Sequence, residues 1–164
     1  MTVAAAVALV TCRRYHASGD AAMRTAAHTP SAAEAAASEA RAQLDARLEE
    51  LDRFVAEDQE SPPPTAIARE ALRTQLCELA AAWLEHTGEA LPFPFVTVTW
   101  AGAYACEWDS PERFLGWFVN PDGSTRLHLM AVEKTRATTL SSQDAPNVRD
   151  LLETLQAVFG QAAE

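Results

Sequence analysis

Residues 113–130 read RFLGWFVNPDGSTRLHLM, and this stretch is typical of an antiparallel hairpin. Its NPDG run fits a type I turn followed by a left-handed residue, because Pro121 fixes φ and Gly123 tolerates a positive φ. The resulting register pairs Val119 with Thr125 and places large apolar side chains on both faces. We therefore predict a sheet with one face packed on helices and the other partly covered or used as an interface.

Upstream, residues 95–109 read FVTVTWAGAYACEWD and continue the alternation. Gly102 either kinks one long strand or lies in a three-residue hairpin loop over 101–103, which would pair Trp100 with Tyr104. Glycine in the middle of such a loop is not the usual position, so the kinked strand is favoured slightly. Both alternatives put the same large residues on the packed face: Val96, Val98, Trp100, Tyr104, Cys106 and Trp108.

Two helices are predicted before the sheet. Ser31 and Glu34 form a capping box at the start of the first helix, which continues to Asp58. The prolines of SPPPT at 61–65 must break it, and Thr65 can cap a second helix that ends near Gly88. The two helices have leucine-rich seams with the same 4, 3, 4 spacing: Leu44, Leu48, Leu51 and Val55, then Leu72, Leu76, Leu79 and Trp83.

These seams predict an αα-hairpin over residues 31–88, and they also fit half of a dimeric bundle. A homodimer through the N-terminal helices is therefore one expectation. After an antiparallel sheet over 93–135, Asp144 and Pro146 indicate the start of an amphipathic helix over 144–160.

The fold class that follows is α+β: an N-terminal αα-hairpin, a three- to four-stranded antiparallel sheet, and a C-terminal amphipathic helix packed on the sheet. We expect a single domain over 31–164. Residues 1–30 lack sustained periodicity and are interpreted as a poorly ordered leader. Met1 and Met23 both fit as the start of the chain.

Composition limits the function classes. The net charge is −10 over 164 residues, and residues 31–60 alone carry nine acids against three arginines. No basic stripe exists, which argues against direct binding of nucleic acid, and no apolar run is long enough to span a membrane. Three scattered cysteines without metal-ligand spacing indicate reduced thiols in the cytoplasm and no metal site. One lysine among 13 basic residues suggests a GC-rich bacterial genome.

Two groups of residues are candidate sites. In the predicted register His128 faces Gly116, which leaves room for a small concavity that would take a ligand or a partner side chain. Arg126 would serve there as an anion or stacking partner. The residues around this concavity are Phe114, Phe118, Arg126, His128 and Met130.

The second group is the carboxylate pair Glu107 and Asp109, at the end of a strand and pointing away from the packed face. Carboxylates so placed fit acid–base chemistry, a cation or a basic partner. Cys106 lies near them in sequence, but its position on the packed face indicates a structural thiol. No nucleotide-binding or hydrolase motif occurs, so we expect no cofactor.

The sequence does not by itself identify a function. We expect a non-enzymatic protein–protein interaction module of the inhibitor, immunity, chaperone or adaptor type, whose acidic surface favours a basic partner. The alternative is a small-ligand-binding or sensory domain with a pocket near His128. A cysteine- or carboxylate-dependent enzyme is the least favoured reading.

Overall fold

The computed structural model describes residues 29–57, 62–133 and 136–159. The predicted leader and both candidate start residues lie outside these ranges, apart from residues 29 and 30. The described part of the chain confirms the α+β class, with one more strand than the largest number predicted. The elements are α1 (Ala32–Glu57), α2 (Ala66–Thr87), β1 (Phe95–Val98), β2 (Tyr104–Asp109), β3 (Arg113–Val119), β4 (Thr125–Glu133), β5 (Arg136–Asp144) and α3 (Val148–Phe159).

Both helices of the hairpin begin at the capping residues that the sequence predicts, and α2 also ends at its predicted cap. The N–H of Ser31 donates to Glu34 Oε2 at 2.6 Å, and the N–H of Glu34 donates to Ser31 Oγ at 3.2 Å. Thr65 Oγ1 accepts a 3.1 Å hydrogen bond from the N–H of Ala68. Gly88 ends α2 in the left-handed region, with φ of 75°.

The leucine seams of α1 and α2 are buried within one chain. Arg73 Nε lies 2.7 Å from Asp45 Oδ1, and Arg69 pairs with Asp52, so two ion pairs also link the helices. Because the seams are used inside the hairpin and against the sheet, a dimer through these helices would need other surfaces. The buried seam residues are Leu44, Leu48, Leu51, Leu72, Leu76, Leu79 and Trp83.

The sheet is an antiparallel meander in the order β1-β2-β3-β4-β5. Its helix-facing side, here called the core face, joins the helices in a single hydrophobic core. The predicted β3–β4 register is confirmed: Val119 pairs with Thr125, and Gly123 has φ of 84°. The buried residues of the core face are Val96, Tyr104, Cys106, Trp108, Leu115, Trp117, Val119 and Leu127.

The favoured prediction at Gly102, one long kinked strand, is wrong. β1 and β2 form a hairpin in which the N–H of Thr99 donates to the carbonyl of Ala103 at 2.8 Å. The loop therefore covers 100–102, one residue earlier than the alternative loop over 101–103, and Val98 pairs with Tyr104. This shift puts Gly102, with φ of 76°, at the left-handed third position where glycine is preferred. It also moves Trp100 off the packed face and leaves it 85% exposed.

The segment between the predicted sheet and the last helix also differs from expectation. It forms β5, an edge strand that follows β4 and has an irregularity opposite Leu129 and Met130. Asp144 ends this strand and does not cap the helix. Asn147 caps α3 instead, because its Oδ1 accepts from the N–H of Asp150 at 3.0 Å.

None of the helices in the described ranges is long and apolar enough to cross a bilayer.

Candidate functional site

All seven residues predicted for the two candidate sites lie on one face of the sheet, opposite the helices. We call it the outer face. The strand registers place Glu107 beside Gly116 and His128 beside Gly116 on its other side, so the two groups form one continuous surface. The seven residues are Glu107, Asp109, Phe114, Phe118, Arg126, His128 and Met130.

The space over Gly116 is filled by aromatic rings, which corrects the predicted concavity. A Cβ at Gly116 would lie 3.0 Å from Phe118 Cε2 and 3.2 Å from Phe114 Cε1. The His128 ring meets Phe118 edge-on, with 5.5 Å between the ring centroids. These residues therefore form a shallow, half-buried patch, and a ligand would have to displace a phenylalanine ring to reach Gly116.

Arg126, the predicted anion partner, is already engaged. Its Nε lies 2.6 Å from Asp144 Oδ1, and both side chains are more than half exposed. An exposed ion pair of this kind contributes little to the free energy of folding. Its main effect is that Asp144 compensates the positive charge of Arg126. The guanidinium is consequently a poor anion site while it is paired with Asp144.

Glu107 and Asp109 form the acidic part of the outer face. Partial burial raises the pKa of Glu107, and the neighbouring charge of Asp109 raises it further. Within the described ranges no basic side chain pairs with either carboxylate, and no three His, Cys, Asp or Glu residues are placed to hold a metal ion. The repulsion between these two carboxylates is one that a cation from outside would relieve.

Cys106 points to the core face and is fully buried. Burial raises the pKa of its thiol far above the ordinary value, with a smaller contribution from the charge of Glu107. Because the thiolate is the nucleophilic form, this cysteine is inert at neutral pH. The structure thus separates Cys106 from the carboxylates that follow it in sequence.

A further site lies where α1 passes the free edge of β1. An open cavity of about 360 Å³ separates the C-terminal half of the helix from the strand. We call it the edge groove, and its wall is mostly apolar. The lining residues are Arg47, Glu50, Leu51, Phe54, Val55, Thr97 and Val98.

Arg47 holds one end of the edge groove in place. Its Nε donates to the carbonyl of Val96 at 3.0 Å, and one terminal nitrogen donates to Glu50 Oε2 at 2.8 Å. The guanidinium carbon also lies 5.5 Å from the ring centroid of Phe95. A side chain held by three contacts loses little further freedom when a partner docks beside it.

Three exposed aromatic side chains lie in the edge groove or on residues close to it in the chain. Phe54 is 69% exposed on α1 and lines the groove, Phe95 is 60% exposed at the start of β1, and Trp100 follows β1 in the loop. The sequence contains one signal for this site, since Phe54 is a large apolar residue off the seam of Leu51 and Val55. The distance between helix and strand depends on tertiary packing and is not encoded locally.

The chain was compared with protein-family models, with curated proteins and with solved structures, and none of the three comparisons found a match. The function is therefore inferred from the chemistry of the edge groove and of the outer face.

Proposed function

We propose that this protein is a non-enzymatic module that binds another protein through the edge groove. The observation that carries the proposal is the apolar groove lined by Phe54 and flanked by exposed Phe95 and Trp100. Aromatic residues and arginine are enriched in the buried centres of protein interfaces, where they supply most of the binding energy. Arg47, already fixed against β1, completes such a set.

The charge distribution favours a basic partner. The net charge is −10, and residues 31–60, which include the whole of α1, carry a net −6. Glu50 lies in the groove wall, and Glu107 with Asp109 adds two carboxylates on the adjacent outer face. Complementary charge raises association rates and selects among partners more than it adds affinity.

The other two candidate functions have less support. The burial of Cys106 speaks against a cysteine-dependent reaction, and the rings over Gly116 speak against a small-ligand pocket beside His128. Neither placement weakens the case for a protein partner, because a shallow apolar patch suits a macromolecular surface better than a small molecule.

The proposal is tested by affinity capture from a lysate of the source organism. The bait is the full chain, either unchanged or with Phe54→Ser and Phe95→Ser together. A matched control bait carries Leu140→Ser, which removes a 53% exposed apolar side chain on β5, far from α1 along the sheet.

We expect at least one protein to be enriched by the unchanged and control baits and lost from the groove variant. That protein should also bind when purified, and its affinity should fall as salt is raised. Equal recovery by all three baits, or no specific recovery at all, would remove the edge groove as the binding surface.

A further inference from the structure

β1 has a free hydrogen-bonding edge. It is the first strand of the sheet, so within the described ranges only β2 pairs with it. The N–H of Thr99 donates to Ala103, which makes these two residues a hydrogen-bonded pair. Since such pairs alternate along an antiparallel ladder, the N–H and C=O groups of Val96 and Val98 point away from β2.

The two carbonyls on this edge are occupied by side chains. Val96 accepts from Arg47, and Val98 accepts a 3.3 Å hydrogen bond from Thr97 Oγ1. The two amide donors are directed outward, toward the side on which the edge groove opens. An added strand can accept from these two donors, and it completes the ladder when its own N–H groups replace Arg47 and Thr97 at the two carbonyls.

We propose that the partner supplies an extended segment that adds to β1 as a sixth strand; this rests on the proposed function and names how the partner is recognised. Side chains of a strand alternate between faces, so every second side chain of the segment enters the edge groove against Leu51, Phe54 and Val55. These side chains are apolar. β1 has four residues, so about two of them fill the groove.

The intervening side chains of the segment lie on the outer face, beside Phe95 and Thr97. Glu107 pairs with Phe95 one strand further in, and its charge is not neutralised by any basic side chain of the described ranges. Lysine or arginine at these positions reaches toward Glu107 and places a cation next to the Phe95 ring. The segment recognised is therefore an alternation of apolar and basic residues.

The test uses a labelled ten-residue synthetic peptide that alternates valine and lysine, blocked at both ends, with the full-length protein. A second peptide has the same composition with all the valines before all the lysines. We expect the alternating peptide to bind and the block peptide to bind at least about tenfold more weakly by fluorescence anisotropy. Binding should also slow hydrogen exchange at the amides of Val96 and Val98.

Two variants locate the peptide. Val98→Pro removes the outward N–H without touching the β1–β2 hydrogen bonds, and an edge strand tolerates proline at such a position. It should weaken binding about tenfold, whereas Leu140→Ser on β5, at the opposite edge of the sheet, should not. Should Val98→Pro lose its native circular dichroism, Phe54→Asp supplies the same test from the groove wall.

Equal binding of the two peptides, or binding that leaves the amides of Val96 and Val98 unprotected, overturns the added strand while leaving the captured partner in place. Amides already protected in the peptide-free protein also overturn it. If the peptide-free protein has the mass of one chain, such protection would mean that the chain's own residues outside the described ranges cover the β1 edge. If the protein has the mass of two chains, the same protection would mean that a second copy of the chain covers the β1 edge.

Discussion

Replacing Gly102 by alanine tests the β1–β2 loop that the sequence left ambiguous. Gly102 has φ of 76°, and a Cβ there would lie 3.0 Å from the carbonyl oxygen of Pro62 and 3.3 Å from its Cγ. The substitution therefore combines a backbone cost with a steric cost. Gly88→Ala isolates the backbone cost, because Gly88 has φ of 75° and a Cβ there would meet nothing within 4 Å.

The two costs have different sizes. A left-handed alanine costs roughly 1–2 kcal/mol, and the reduced freedom of the unfolded chain offsets about 0.4–1 kcal/mol of that. Gly88→Ala should consequently lower the free energy of unfolding by about 1 kcal/mol. At Gly102 the backbone of Pro62 must also move by a few tenths of an ångström, and overpacking of this kind adds about 1–3 kcal/mol.

Thermal unfolding followed by far-ultraviolet circular dichroism measures the difference. For a chain of this size, about 1 kcal/mol shifts Tm by 2–4 °C. Tm should therefore be lower by about 3 °C in Gly88→Ala and by about 9 °C in Gly102→Ala. Gly123→Ala should lie closer to Gly102→Ala, because its close contact, at 2.9 Å, is the Cγ2 methyl of Ile67, which is bonded directly to Cβ and has little freedom at χ1 on a helix.

Urea unfolding gives the decisive comparison, provided that the slope m is the same in all three variants. Free energies for Gly88→Ala and Gly102→Ala that agree within about 0.5 kcal/mol would refute the Pro62 contact and the loop assignment that rests on it.

Three further outcomes are expected. Asn147→Ala should cost about 1 kcal/mol of stability as a lost helix cap, while Asp144→Ala should cost less than about 0.5 kcal/mol; the reverse order in urea titrations would restore Asp144 as the cap. Because the pKa of Glu107 is raised in the folded state, the protonated form favours folding, and this contribution is lost as pH rises above the ordinary value of 4.5. The free energy of unfolding of Glu107→Gln should therefore rise relative to that of the unchanged chain from pH 4.5 upward. A difference between the two proteins that stays constant with pH would contradict the raised pKa of Glu107. Iodoacetamide should leave Cys106 unmodified until the chain unfolds and should modify the partly exposed Cys77 slowly in the native state, because burial raises the pKa of that thiol too; mass spectrometry of digests is the readout.

Local sequence predicts the parts of this fold whose geometry is set locally. The hairpin at Pro121 and Gly123 is one, because proline and left-handed glycine together leave few turn types. The Thr99–Ala103 loop has the same hydrogen-bond pattern, with its glycine in the same position. It lacks a proline or asparagine to fix the preceding residues, so the pattern allowed a kinked strand as well.

β5 shows why the rest was not predictable. Its residues, including Thr138, Thr139 and Ser141, are exposed on both faces, so no alternation of apolar and polar side chains marks the strand. Its pairing with β4 is decided by backbone hydrogen bonds, which every sequence offers. The candidate site divides in the same way: the outer-face residues could be assigned from alternation, whereas the edge groove depends on how α1 lies against β1.

The meander order of the sheet has a consequence for how the chain folds. Each strand is bonded to its neighbour in sequence, so every strand pairing closes a short loop and costs little entropy. The same holds for the pairing of α1 with α2. The long-range step that remains is the docking onto the sheet of the helices that precede and follow it, where α3 meets α2 and β3. Local pairings of this kind are associated with fast folding for a sheet-containing domain, and they leave α3, which is synthesised after the other described elements, to complete the core.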